Sequence, residues 1–150
     1  MVPRVAATST WFTAVADVRD DVSMARLAQI VIDCELPALL ARFWASALDG
    51  FEVRPYDDAE VARLGALGFT PETDPTVIVD GPRLELCFQR VDDAAPTGKR
   101  RLHLDVAAPV GGHRDEVDRL VALGAAIVQG FDGHTWMCDP EGNDFCVTIG

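Results

Sequence analysis

The sequence predicts an α+β fold built from two tandem βαβββ modules. Two observations lead to that expectation. From residue 26 onward the strand and helix signals run β-α-β-β-β, then a polar connector, then β-α-β-β-β again. The two halves also align turn on turn. Asp80 to Glu85 spans five positions, as does Asp139 to Asp144, and each span leads into an apolar-Cys-apolar triplet, Leu86-Cys87-Phe88 and Phe145-Cys146-Val147. Module one is expected over residues 25–92 and module two over 100–149.

In module one, residues 27–34 (LAQIVIDC) are apolar and β-branched, as a central strand requires. Residues 36–48 place Leu36, Leu39, Leu40, Phe43, Trp44 and Leu48 at helical spacing, with Pro37 in the first turn and Gly50 at the stop. Residues 51–56 alternate like a strand, and 58–67 form a short helix with Val61 and Leu64 on one side. Strands follow at 76–80 and 84–91, joined by the turn Asp80-Gly81-Pro82-Arg83. Residues 92–100 are the connector. Module two repeats the order, with strand 102–107, helix 114–123 closed by Gly124, and strands 126–131, 134–138 and 144–149. Asp139-Pro140-Glu141-Gly142 has the composition of a type I turn.

Residues 1–23 carry no sustained period and are expected to be a flexible N-terminal extension to a domain over 24–150. Met24 opens the strongly patterned segment, so translation starting there is one account of the tail. Docking of Trp11 and Phe12 on a groove or partner is another.

The 150 residues suit one domain, and 49% hydrophobic with 25% charged residues is an ordinary globular balance. Thirteen basic against 24 acidic residues give a net charge of −11, a field that repels phosphate backbones and anionic lipid. No nucleic-acid or membrane partner is expected, and no apolar run approaches a membrane span. The four cysteines, Cys34, Cys87, Cys138 and Cys146, lack CxxC or zinc-finger spacing. They read as small buried hydrophobes in a reducing, cytoplasmic setting, with an inter-strand disulfide as the alternative.

Aligning the halves singles out Gln29, Glu85, His103 and Asp144, one from the first and one from the last strand of each module. Each is polar among apolar strand neighbours and so needs a partner or a water-filled cavity. If the modules curl around a shared groove, one imidazole, two carboxylates and one amide oxygen converge. That set suits a divalent Zn, Ni, Co, Fe or Mn ion. The alternative is four pocket-lining groups hydrogen-bonded to one another. Phe88 and Trp136 are expected to wall the groove for a small-molecule ligand. His113 reads as a surface or capping residue, His134 as flanking a turn, and Phe43 and Trp44 as core.

The paired βαβββ order, RLHLDV at 101–106, FQRV at 88–91 and WMCDPEGNDFCV at 136–147 resemble the vicinal oxygen chelate superfamily, and within it the bacterial glyoxalase-like domains. The resemblance covers residues 25–149. It implies a cupped, barrel-like mixed sheet around a metal or ligand site, with ligands at Gln29, Glu85, His103 and Asp144, and it favours a homodimer. This Gln/Glu/His/Asp set is similar to that of glyoxalase I type lyases, except that Asp144 stands where Glu is usual and is one methylene shorter.

The resemblance implies a metal-dependent lyase or isomerase that chelates a vicinal-oxygen substrate, with Glu85 or Asp144 moving a proton between adjacent carbons. No basic cluster is required to clamp an anionic thiol; Lys99, Arg100 and Arg101 sit together on the connector and read first as a solvated linker, with such a clamp as the alternative. A metal-free ligand-binding or drug-sequestering protein of bleomycin-resistance type is the alternative, and the acidic chain suits a cationic ligand. Extradiol dioxygenases and fosfomycin-type thiol transferases resemble a two-His-one-carboxylate site, for which only His103 is in place.

Overall fold

A computed structural model describes residues 27–91 and 102–150. The expectations for the tail, for Trp11 and Phe12, and for the Lys99–Arg101 cluster lie outside the described residues. The first module contains β1 (Gln29–Cys34), α1 (Pro37–Ala47), β2 (Glu52–Val53), α2 (Asp58–Ala66), β3 (Thr76–Asp80) and β4 (Glu85–Arg90). The second contains β5 (Leu104–Ala107), α3 (His113–Ala122), β6 (Ala126–Phe131), β7 (His134–Cys138) and β8 (Asp144–Thr148). β2 is shorter than the alternation suggests because Pro55 has no N–H to continue the ladder.

Each module forms one four-stranded mixed sheet, in the orders β1-β4-β3-β2 and β5-β8-β7-β6. In both, the first and last strands run parallel and the remaining pairings are antiparallel. A parallel pair needs a long crossover, which the helix of each module begins. The sheets are cupped rather than closed into a barrel, and they remain two sheets.

Side chains alternate across each strand, so one face of each sheet is apolar. Leu86 and Phe88 of β4, Val77 and Val79 of β3, Met137 of β7, and Phe145 and Val147 of β8 all enter a single core. α1 packs on β2, β3 and β4, with Ala38, Leu40, Ala41, Phe43, Trp44 and Ala47 buried. Leu39, Arg42 and Ser46 form its exposed stripe, so it is an amphipathic helix with a wide apolar face. Its ring contacts cross the module boundary: Trp44 meets Phe145 edge-on at 5.3 Å, and Phe43 meets it at 6.4 Å. The expected stripe is corrected at Leu36 and Leu39, which are exposed, while the small alanines let the sheets approach.

Polar contacts fix the same helix from the second module. α1 has no side-chain cap, no acid in its first turn and no base in its last. Glu141, in the β7–β8 turn, accepts the backbone N–H groups of Glu35 and Leu36, each at 2.6 Å. Arg119 of α3 donates to the carbonyls of Ser46 and Ala47, both at 2.8 Å. An anion at the N-terminus and a cation at the C-terminus both complement the helix dipole. In between, Trp44 Nε1 donates to the buried Asp139 at 3.1 Å. Asp139 also accepts from the backbone N–H groups of Glu141 and Asn143 and from the Asn143 side chain. The turn closes with Gly142 N–H on the Asp139 carbonyl at 2.9 Å, and Gly142 has a φ of 80°, which disfavours a side chain there.

His113, expected at the surface or as a cap, is half-buried. It starts α3, and its Nε2 lies 3.0 Å from the Val147 carbonyl, pinning the helix to β8. The cysteine expectation is half corrected. Cys34 and Cys87 are buried, Cys138 and Cys146 are half-buried, and all four are free thiols. Burial, with the Glu141 and Asp139 carboxylates adding to it, pushes the Cys34 thiol up to about 12. No helix among the described residues is long and apolar enough to cross a membrane.

Replacing Asp139 by Ala leaves several donors without their charged acceptor and is expected to lower unfolding free energy by about 3–5 kcal/mol. Glu141→Ala removes only the distant cap and should cost about 0.5–2 kcal/mol. Urea denaturation reads both, and a change below about 0.5 kcal/mol for Asp139→Ala would contradict a structural role for that turn. In the native protein Cys138 and Cys146 should alkylate faster than Cys34 and Cys87 in a short iodoacetamide pulse mapped by mass spectrometry. Fast labelling of Cys34 would contradict its burial.

Candidate functional site

The faces opposite the shared core carry the polar residues. In module one, β1 and β4 are paired so that Gln29 sits beside Glu85. The parallel register puts both side chains on the open face, and Gln29 Nε2 donates to Glu85 Oε2 at 3.1 Å. Arg54, just beyond β2, reaches the same carboxylate: its Nη2 donates to Glu85 Oε1 at 2.6 Å. Its Nε also donates to Asp80 Oδ2 at 3.1 Å. These two hydrogen-bonded carboxylates raise the Arg54 guanidinium further above its ordinary range, and Arg54 lowers the Asp80 carboxyl. The group is partly solvated, with the Arg54 side chain 46% and Glu85 39% exposed, so it contributes little to stability and is available to a ligand.

In module two, β8 lies between β5 and β7. Asp144 pairs with Cys138, Cys146 with both Asp105 and Trp136, and Thr148 with His134. Trp136 Nε1 donates to Asp144 Oδ1 at 2.9 Å. His103, immediately before β5, faces Asp105 with Nε2 3.2 Å from Oδ1, both side chains being exposed. His103, Asp105 and Cys146 each bring a ligand atom within 4.8 Å of the others, so the three can hold a metal ion. Burial raises the Cys146 thiol, and the Asp105 and Asp144 carboxylates add to the shift. Farther along the same face the Phe131 and His134 rings stack at 4.7 Å, 10° from parallel.

The structure thus joins Gln29 to Glu85 on one sheet. It puts Asp144 against Trp136, and His103 against Asp105 and Cys146, on the other. Trp136 lies on the open face. Phe88 does not. It is fully buried in the core with Leu86, because it differs from Glu85 by an odd number of positions and so projects from the opposite face. The sequence reading missed Arg54, Asp105 and Cys146. The spacing of His103 and Asp105, two apart on a strand, was a usable signal. So was Cys146, two beyond Asp144. Nothing local in the sequence connects Arg54 to Glu85.

A family model described as glyoxalase-like domain matches residues 29–148. No curated protein sequence matches the chain. Among solved structures, a glyoxalase/bleomycin resistance protein/dioxygenase family enzyme from Burkholderia phytofirmans superposes with a TM-score of 0.60 at 14% identity, covering 83% of this chain and 98% of that one. A glyoxalase-related enzyme from Fulvimarina pelagi gives 0.59 at 13% identity, covering 85% and 89%. The fosfomycin resistance protein FosX from Listeria monocytogenes gives 0.58 at 11% identity, covering 85% and 93%. At these identities the likeness is one of fold. The family model spans nearly all of both modules, and the chain belongs to the glyoxalase-like domain family of the vicinal oxygen chelate superfamily.

Proposed function

We propose that this chain is a cytoplasmic, homodimeric small-molecule protein of glyoxalase type, acting as a metal-dependent lyase or isomerase on a vicinal-oxygen substrate. The observation that supports this reading is a polar cluster on the open face of each sheet, Gln29 with Glu85 on one, and His103 with Asp105 and Cys146 beside Asp144 with Trp136 on the other. Within one chain these faces turn away from the core the sheets share, so neither cluster closes a pocket alone. A second copy that sets module two against module one of its partner joins them. The exposed apolar residues Ile127, Val128 and Phe131 on edge strand β6, and Val31 on edge strand β1, favour such association.

The donor set expected from the resemblance fits in chemistry but not in arrangement. Both Glu85 oxygens already accept hydrogen bonds, from Gln29 and Arg54, and Asp144 is held by Trp136. Of the four, only His103 belongs to a metal-capable cluster among the described residues. The chain's own groups have clear tasks. Arg54 holds an anionic oxygen of the ligand beside Glu85. Trp136 orients Asp144, which presents its second oxygen to a substrate proton.

A second reading, a metal-free ligand-binding or drug-sequestering protein, is favoured by the aromatic surface of module two. Trp136 and the Phe131–His134 stack share a face with Asp105 and Asp144, which suits a planar cation.

Metal content of untagged protein separates the two, measured before and after incubation with Ni, Zn, Co, Fe(II) or Mn and desalting. The enzyme reading expects about one equivalent per chain, lost in His103→Ala. It also expects turnover in a screen of hemithioacetals and other vicinal-oxygen substrates, and Asp144→Asn should lower that turnover about 100-fold or more. No retained metal, with thermal shifts from planar cations, would replace it with the binding reading. Light scattering should give twice the chain mass, and a monomer at micromolar concentration would contradict the shared site.

A further inference from the structure

The face of module two holds a ligand set that the four-residue expectation does not contain. We propose that His103, Asp105 and Cys146 form a binding site for a thiophilic divalent cation, of which zinc is the best match. This rests on the reading that the open face of module two is a ligand face, but it does not depend on Gln29, Glu85 or Asp144.

The backbone sets the geometry. His103 and Asp105 are two apart and extend from the same side of the chain at the start of β5. Cys146 is the register partner of Asp105 across the parallel β5–β8 ladder. The three ligand atoms already lie within 4.8 Å of one another. Zinc bonds of about 2.0–2.3 Å put tetrahedral donors roughly 3.5 Å apart. The His103 and Asp105 side chains are 54% and 61% exposed, so they can close that difference by rotation without moving a strand.

The donor types set the selectivity. Imidazole, carboxylate and thiolate together favour zinc, cobalt or copper over magnesium and calcium, which prefer oxygen alone. On binding, the Cys146 thiol loses its proton to solvent as the sulfur–metal bond forms, and the thiolate and the Asp105 carboxylate then balance the two positive charges. Three protein ligands on an open face leave a fourth position for water or substrate, the arrangement of a reactive rather than a purely structural zinc site. Asp144, two residues from Cys146 on the same face of β8, accepts a hydrogen bond from Trp136 Nε1.

The test is a cobalt(II) titration of reduced, untagged full-length protein, followed by zinc competition. Sulfur ligation gives a near-ultraviolet thiolate-to-cobalt charge-transfer band that an oxygen and nitrogen site cannot produce. The expected result is one band-forming equivalent per chain, displaced by zinc. The band should be lost in Cys146→Ser, and zinc affinity should fall more than about tenfold in Cys146→Ser, Asp105→Asn and His103→Ala. Cys138→Ser and Glu85→Gln should keep both. Far-UV circular dichroism and the urea midpoint establish that each variant is folded, and Cys146→Ser is nearly isosteric. Should Cys146→Ser fail to fold, Cys146→Ala carries the same test. Cobalt bound without the band, or a band surviving in Cys146→Ser, would overturn the site. Metal binding lost in Glu85→Gln but kept in Cys146→Ser would overturn it in favour of the four-residue arrangement. No binding of cobalt or zinc would overturn it while leaving the metal-free ligand reading intact.

Discussion

The structure depends on how α1 is held. This helix belongs to module one by chain order, yet the N–H groups of Glu35 and Leu36 just before its first turn, its Trp44 ring and the carbonyls of Ser46 and Ala47 at its end all meet module two. A helix supplying none of its own caps would fray at both ends. Here Glu141 and Arg119 stand where the dipole attracts them, and Asp139 accepts the indole N–H in the buried middle. The modules are thereby locked through the apolar backs of their sheets. The DPEGN segment is less a simple hairpin turn than the clasp between modules.

Everything functional follows from that clasp. When two sheets share a core, strand alternation sends every second side chain the other way. Gln29, Glu85 and Arg54 therefore occupy one outward face, and Asp105, Trp136, Asp144 and Cys146 the other. The first face pairs acids with a guanidinium. The second pairs acids with an imidazole, a thiol and aromatic rings, and so offers softer ligands and stacking surfaces. The repeat gave both faces the same backbone positions but different chemistry.

Much of this was legible in the residues. Period-two runs and turn composition located the strands to within a residue or two, except β2, which ends three residues early. The reading of residue character singled out Gln29 and Glu85, which the parallel register of β1 and β4 sets side by side. It failed at Phe88, where the apolar character suggested a groove wall but the strand phase assigns the ring to the core. It also failed at Cys146, whose small apolar character suggested full burial while its phase matches Asp144 and not Phe145.

The sequence by itself determined the elements, the two-module order and which positions share a strand face. These depend on local propensity and on a period fixed by backbone geometry. Only the tertiary structure decided which partner each face meets. The reach of Glu141 to α1, of Arg54 to Glu85, and the meeting of His103, Asp105 and Cys146 each join residues on different elements. No local rule encodes such meetings, because they arise from how helices and sheets pack once the shared core has formed.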